Sequence, residues 1–284
     1  MTLARLENWK KTAHGLHRGV LLLGLIQRLT QPPQPAYLEL GLEILPQGLS
    51  TGDLPNGGRV NLDFASANLV YVAVDGSEVE IPLNDRAQAQ VFTDLFGLLA
   101  EAELAAILPA GNELFERIAA GVTARGERYK QPQREDFLDE SILEIDRWTA
   151  GIYMQALQAI FTALARFRAR LSGTMTKVVV WPEHFDLSTL LFVGNEIDDW
   201  QPHLSFGFAP FSEGLGRPYL YAYAYPYPEQ YEPPVLPSGA RWHTQGWTGV
   251  VLPYEEIAAR DDTAGYVENS CLMIYEGLLP LVSG

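Results

Sequence analysis

The chain has 284 residues, 47% hydrophobic and 19% charged, enough apolar mass to bury a large core without disulfides or metal staples. Its formal net charge is −15 and its pI about 4.7, so phosphate backbones and anionic lipid surfaces are excluded as expected partners. The charge is uneven: residues 1–30 carry five basic residues and one acid, which leaves −19 on the remainder. The one cysteine, Cys271, lies in the apolar run CLMIY and reads as a small core residue in a reducing compartment. The run VLLLGLI is too short to span a bilayer and is followed by QRLTQPPQP rather than a cleavage site, so a cytoplasmic protein is expected.

Residues 4–29 read as a helix. Leu6, Trp9, Ala13, Leu16, Val20 and Leu23 recur at spacings of three and four, and the QPPQP run ends the pattern. His14 and His17 sit three apart on it, a pair that is either solvated or able to hold a metal or anion. YLELGLEIL (37–45) alternates as a half-buried strand, and strands at 58–64, 68–74 and 78–83 complete a meander of about four. Helical spacing returns over 86–108, with Asn84 or Asp85 as N-cap, and again over about 112–124. The polar segment 126–136 reads as a linker. A long helical region covers 135–171, its stripe formed by Tyr153, Leu157, Ile160, Phe161, Leu164, Phe167 and Leu171. Strands follow near 176–181, 187–193, 203–209, 218–225 and 241–252, then a closing helix over 263–280.

Helix, meander, helix occurs twice. The expected class is α+β, with two similar lobes, each an antiparallel meander packed with long helices, consistent with an internal duplication. The lobes are placed at 1–128 and 129–284, together forming one compact unit.

Several motifs bear on chemistry. GLSTG (48–52) matches the G-x-S-x-G nucleophile elbow, but DLPNGG follows where a helix is required, so Ser50 reads as a turn residue. Walker A, G-x-G-x-x-G and H-E-x-x-H patterns are all absent, so phosphate-loop, dinucleotide and zincin mechanisms lack support.

In WPEHFDL, an extended 184–186 would put His184 and Asp186 on one side. They would then suit an oriented general base. With His203, and Glu196, Asp198 or Asp199 nearby in sequence, they would suit a metal. The plain alternative is a surface histidine beside a turn. In PYLYAYAYPYP, strand alternation points Tyr219, Tyr221, Tyr223 and Tyr225 one way and Leu220, Ala222 and Ala224 the other. The alanine face suits close packing against the 149–171 helix. The tyrosine face suits an aromatic ladder with Phe206 and Phe208, a pocket wall or a protein interface. His243, between two tryptophans, reads as a half-buried strand residue.

Taken together, Trp9, Thr12, Leu16, His17 and Arg18, then GLSTG with Leu62–Phe64, then Trp181, Phe185, Asp186 and Leu187, then YAYAYPYP and Leu252–Tyr254 form a recognisable pattern. With it the chain resembles the bacterial domain-of-unknown-function family 5996, over about residues 9–280. The resemblance implies a grouping and no activity. It includes His17, Gly48, Asp186, Tyr221, Tyr223 and Pro226 in the family pattern. It departs at QPPQPAYLEL, where a polar stretch containing His and Trp is expected.

The residues thus support three readings. The first is a small-ligand pocket lined by Trp181, His203, Phe206, Tyr219, Tyr221, Tyr223, Tyr225 and His17. The second is a hydrolase-like enzyme using the His184–Asp186 pair. The third is a non-catalytic interaction module. No metal or cofactor is expected, and the protein is expected to be a monomer or homodimer.

Overall fold

A computed structural model describes residues 3–6, 9–109, 113–118, 135, 137–227 and 232–282. The fold is α+β, with two antiparallel sheets of five and seven strands. Two compact units are formed, Lys11–Gly151 and Met1–Lys10 with Ile152–Gly284. The 128/129 boundary read from the sequence and most of the 126–136 linker lie outside the described residues, as does part of the 112–124 helix, of which 113–118 are helical.

Helix α1 (Trp9–Thr30), of which Lys11–Thr30 lie in the Lys11–Gly151 unit, buries Ala13, Leu16, Val20 and Leu23 as its spacing predicts. Strands β1 (Glu43–Leu45), β2 (Gly48–Ser50), β3 (Arg59–Asp63), β4 (Asn68–Val72) and β5 (Glu78–Pro82) form a meander in sequence order. β5 is an edge strand that exposes most of its residues.

The strand expected over 37–45 is shorter than its alternation suggests. Residues Pro35–Leu40 form a tight 3-10 turn, with Ala36 and Tyr37 left-handed at φ 52° and 55°. Glu39, expected on the solvent side, is buried, and its Oε2 accepts the Gln34 N–H at 2.9 Å. That bond closes a local turn in competition with sheet pairing.

GLSTG is β2 and the bend after it. A side chain at Gly48 would fall on the Leu62 carbonyl, so only glycine allows β2 to approach β3 here. Ser50 is a buried strand residue rather than a turn residue, and its Oγ accepts the Gly52 N–H at 3.1 Å.

Helix α2 (Gln88–Leu99) starts later than expected and has no side-chain cap. Asn84 instead accepts the Ile145 N–H at 2.7 Å, and Asp85 has φ 61°. The long helix expected from 135 begins only at Arg147. Before it, Asp85 and Arg86 exchange backbone bonds with Leu143, and Ala87 bridges Ile142. Asp146 then caps helix α3 (Arg147–Ala169) by accepting the Thr149 N–H at 2.7 Å.

In the other unit the strands are β6 (Thr174–Met175), β7 (Val179–Trp181), β8 (Asp186–Phe192), β9 (His203–Ala209), β10 (Tyr219–Tyr225), β11 (Arg241–His243) and β12 (Gly249–Pro253). Their order is β11-β12-β10-β9-β8-β6, with β7 also on β8. Of two expected strands, the first is shortened to β7 and the second is split into β11 and β12. The 176–181 strand is interrupted where the Thr176 hydroxyl accepts the Leu190 N–H at 2.9 Å. The 241–252 strand is broken by a turn with Gly246 at φ 82°. Helices α4 (Tyr254–Ala258) and α5 (Thr263–Val282) close the chain.

Helices cover one face of the seven-stranded sheet. On β9, Phe206 meets Phe167 with centroids 4.7 Å apart, and Phe208 meets Tyr153 at 5.9 Å. The stripe of α3 therefore packs on β9. The alanine side of β10, expected against that stripe, meets α5. Cys271, within α5, is fully buried, and burial pushes its thiol up, in keeping with a core role.

Candidate functional site

The opposite face of the seven-stranded sheet carries the tyrosines. Alternation along β10 holds: Ala222 and Ala224 are buried, while Tyr221, Tyr223 and Tyr225 keep part of their surface open. The pairing register fixes their partners. Tyr219 lies opposite Ala209, Tyr221 opposite Gly207, Tyr223 opposite Ser205 and Tyr225 opposite His203. Small residues at 205, 207 and 209 therefore form the bed on which the rings lie. Phe206 and Phe208 point to the helix-covered side, so neither an aromatic ladder with the tyrosines nor a pocket wall shared with Phe206 is built.

Gly207 is the pivot of this arrangement. A side chain there would collide with the Tyr221 ring and stand 2.6 Å from the Leu187 carbonyl oxygen. Without it, the Tyr221 ring crosses β9 and its hydroxyl donates to Asp186 on β8. Ser188, also on β8, accepts the Trp181 indole N–H at 2.8 Å and hydrogen-bonds Tyr221. Trp181, Asp186, Ser188 and Tyr221 thus make one polar network on an aromatic surface.

Asp186 is only 7% exposed. Burial raises its carboxyl above the usual range, while the charge of His184 and the Tyr221 hydrogen bond pull the other way. Burial and the Asp186 charge hold the Tyr221 phenol well above its ordinary value. Tyr223 is pushed up to about 12, mainly by burial, and its bond to Ser205 opposes the shift. Tyr219 donates to Ser212 Oγ at 2.8 Å.

Trp247, delivered by the turn at Gly246, stands over these rings. Its centroid is 6.5 Å from Tyr219, 6.2 Å from Tyr221 and 6.3 Å from Tyr223. Behind it His243 packs at 4.6 Å. At the far end, His203 stacks on Tyr225 at 5.1 Å, and its Nδ1 is 2.8 Å from the Gln201 carbonyl. Burial lowers the pKa of this imidazole.

The structure therefore brings together Trp181, Asp186, Tyr219, Tyr221, Tyr223 and Tyr225, with His203 at one end. His17 belongs to the Lys11–Gly151 unit. The extended run that would align His184 with Asp186 is broken, because Phe185 has φ 53°, although the charge of His184 still acts on Asp186. His184 sits on an exposed turn while Asp186 is buried. His203 pairs with Phe192, six residues along β8 from Asp186, roughly 20 Å at strand rise. One metal cannot be shared across that span. Among the described residues, no three His, Cys, Asp or Glu side chains lie close enough to hold a metal ion.

Ser188, Gly207 and Trp247 were not identified from the sequence. The signal for Gly207 was present in SFGFA, where small residues alternate with phenylalanine. Trp247 had no periodic signal, because a turn presents it.

Among the described residues, no helix is long and apolar enough to cross a membrane. A family model described as "Family of unknown function (DUF5996)" matches residues 2–277. No curated protein and no solved structure matches the chain.

Proposed function

The chain belongs to the DUF5996 family, whose description carries no activity, and from the geometry of this member we propose that it binds a small ligand on the tyrosine face of the seven-stranded sheet. One observation carries the reading. A buried carboxylate, Asp186, is reached across a glycine by the Tyr221 phenol on a face walled by Tyr219, Tyr223 and Trp247. Core packing does not require a carboxyl there, and burying one is costly. Pre-placed polar groups within an aromatic wall are the ordinary makeup of a ligand site.

The hydrolase-like alternative is less well supported, because His184 and Asp186 are separated by the Phe185 turn. The cytoplasmic assignment remains part of the proposal.

The test is a fragment titration of the full chain, followed by the NMR signals of its six tryptophan indoles. Shifts confined to Trp247 and Trp181 are expected. Fragments that move only other indoles, or none, overturn the proposal.

A further inference from the structure

Resting on that binding reading, we infer that the ligand group seated on the tyrosine face is a small organic cation, an aliphatic or quaternary ammonium. Three observations on the face converge.

The first is charge. Asp186 is buried; the Tyr221 phenol donates to it and the charge of His184 acts on it, and no Lys or Arg is ion-paired with it among the described residues. Asp199 adds a second negative influence at Tyr223. With the exposed imidazole of His184 as its one positive neighbour, the buried carboxylate is weakly paired, and a permanent positive charge beside it is favourable.

The second is the rings. Tyr221 and Tyr223 lie nearly parallel, 11° apart in plane with centroids separated by 6.0 Å. Trp247 stands edge-on to both, at 74° and 65°. All three keep part of their surface open. Ring faces attract cations, tryptophan most strongly, and aromatic surrounds are the usual seat of quaternary ammonium groups.

The third is the hydrogen-bond inventory. The phenol hydrogens of Tyr221 and Tyr219 are committed to Asp186 and Ser212. The Trp181 indole N–H is committed to Ser188. The groups nearest Asp186 therefore offer a ligand π density and lone pairs rather than free donors. An anion would meet the charge of Asp186, and a neutral donor could hydrogen-bond the carboxylate without supplying the charge that an ammonium brings.

The experiment measures binding of tetramethylammonium, methylammonium, neutral tert-butanol and acetate to the full chain, by calorimetry and by the Trp247 indole signal. The ammonium ions are expected to bind at least tenfold more tightly than tert-butanol. Asp186→Asn is expected to remove most of that preference. Trp247→Leu, with its fold checked by circular dichroism, is expected to weaken the cations severalfold and tert-butanol little. If tert-butanol or acetate binds as well as the cations, or if Trp247→Leu weakens all probes alike, the cation assignment falls while the ligand site stands. If no probe of any charge disturbs Trp247 or Trp181, both fall.

Discussion

Replacing Gly207 by alanine tests the centre of the site. The new methyl would overlap the Tyr221 ring and stand 2.6 Å from the Leu187 carbonyl oxygen, which is backbone of the adjacent strand and cannot swing away. Overpacking of this kind costs about 1–3 kcal/mol. If the ring is pushed off, Asp186 also loses the phenol hydrogen bond and is left buried without it, for about 1–3 kcal/mol more. The expected total is about 2–6 kcal/mol.

Tyr221→Phe removes only the hydroxyl and should cost the second component alone. Urea unfolding of the parent, both single variants and the double variant separates the two effects. In the Tyr221→Phe background, Gly207→Ala should cost about 1–3 kcal/mol less than in the parent. A Gly207→Ala variant within 0.5 kcal/mol of the parent, or strict additivity with Tyr221→Phe, would refute the reasoning.

Asp186→Asn should alter how stability depends on pH. Burial raises the folded carboxyl above its unfolded value, so the folded state holds the proton more tightly. Whatever stability this lends the parent is fully present below about pH 4 and is lost as pH rises through the folded pKa. The asparagine variant should therefore gain on the parent as pH climbs from 4 to 8, and a flat or opposite difference in unfolding titrations counts against the account. Cys271 is fully buried and its thiol is pushed up, so Ellman's reagent should leave it untouched in the folded protein and modify it once urea unfolds the chain. Ser50 is a buried strand residue without the helix that an elbow needs, so a fluorophosphonate probe should not label it, as intact mass will show.

Much of this fold could be read from spacing. The stripes of α1 and α3 are periodic over many turns, and the β10 alternation is unambiguous because tyrosine and alanine differ so much in size. What escaped depended on partners distant in sequence. Leu143 pairs with Asp85 and Arg86, which cuts short the helix expected from 135. Glu39 folds back on Gln34 and removes half of a strand whose alternation was good.

The site divided in the same way. Asp186 and the four tyrosines stood out, being carried by one motif and one strand. The extended run expected over 184–186 is broken at a single residue, because phenylalanine gives no warning of a left-handed backbone at Phe185. Which face Phe206 takes became clear only once the register of β9 on β10 was known.

The outer strand of the meander, β5, has a bearing on how this protein lives at high concentration. Among the described residues no strand pairs beyond it, so its outer rim is a template on which a second copy could dock. Glu78 and Glu80 stand on that rim, and Pro82 withholds a donor at its end. Two such rims brought together would set like charge against like charge and leave an amide partner missing. The acidity of the chain therefore also serves as a guard against fibrous self-association. Removing the two glutamates, rather than damaging the core, is the change that would expose the protein to it.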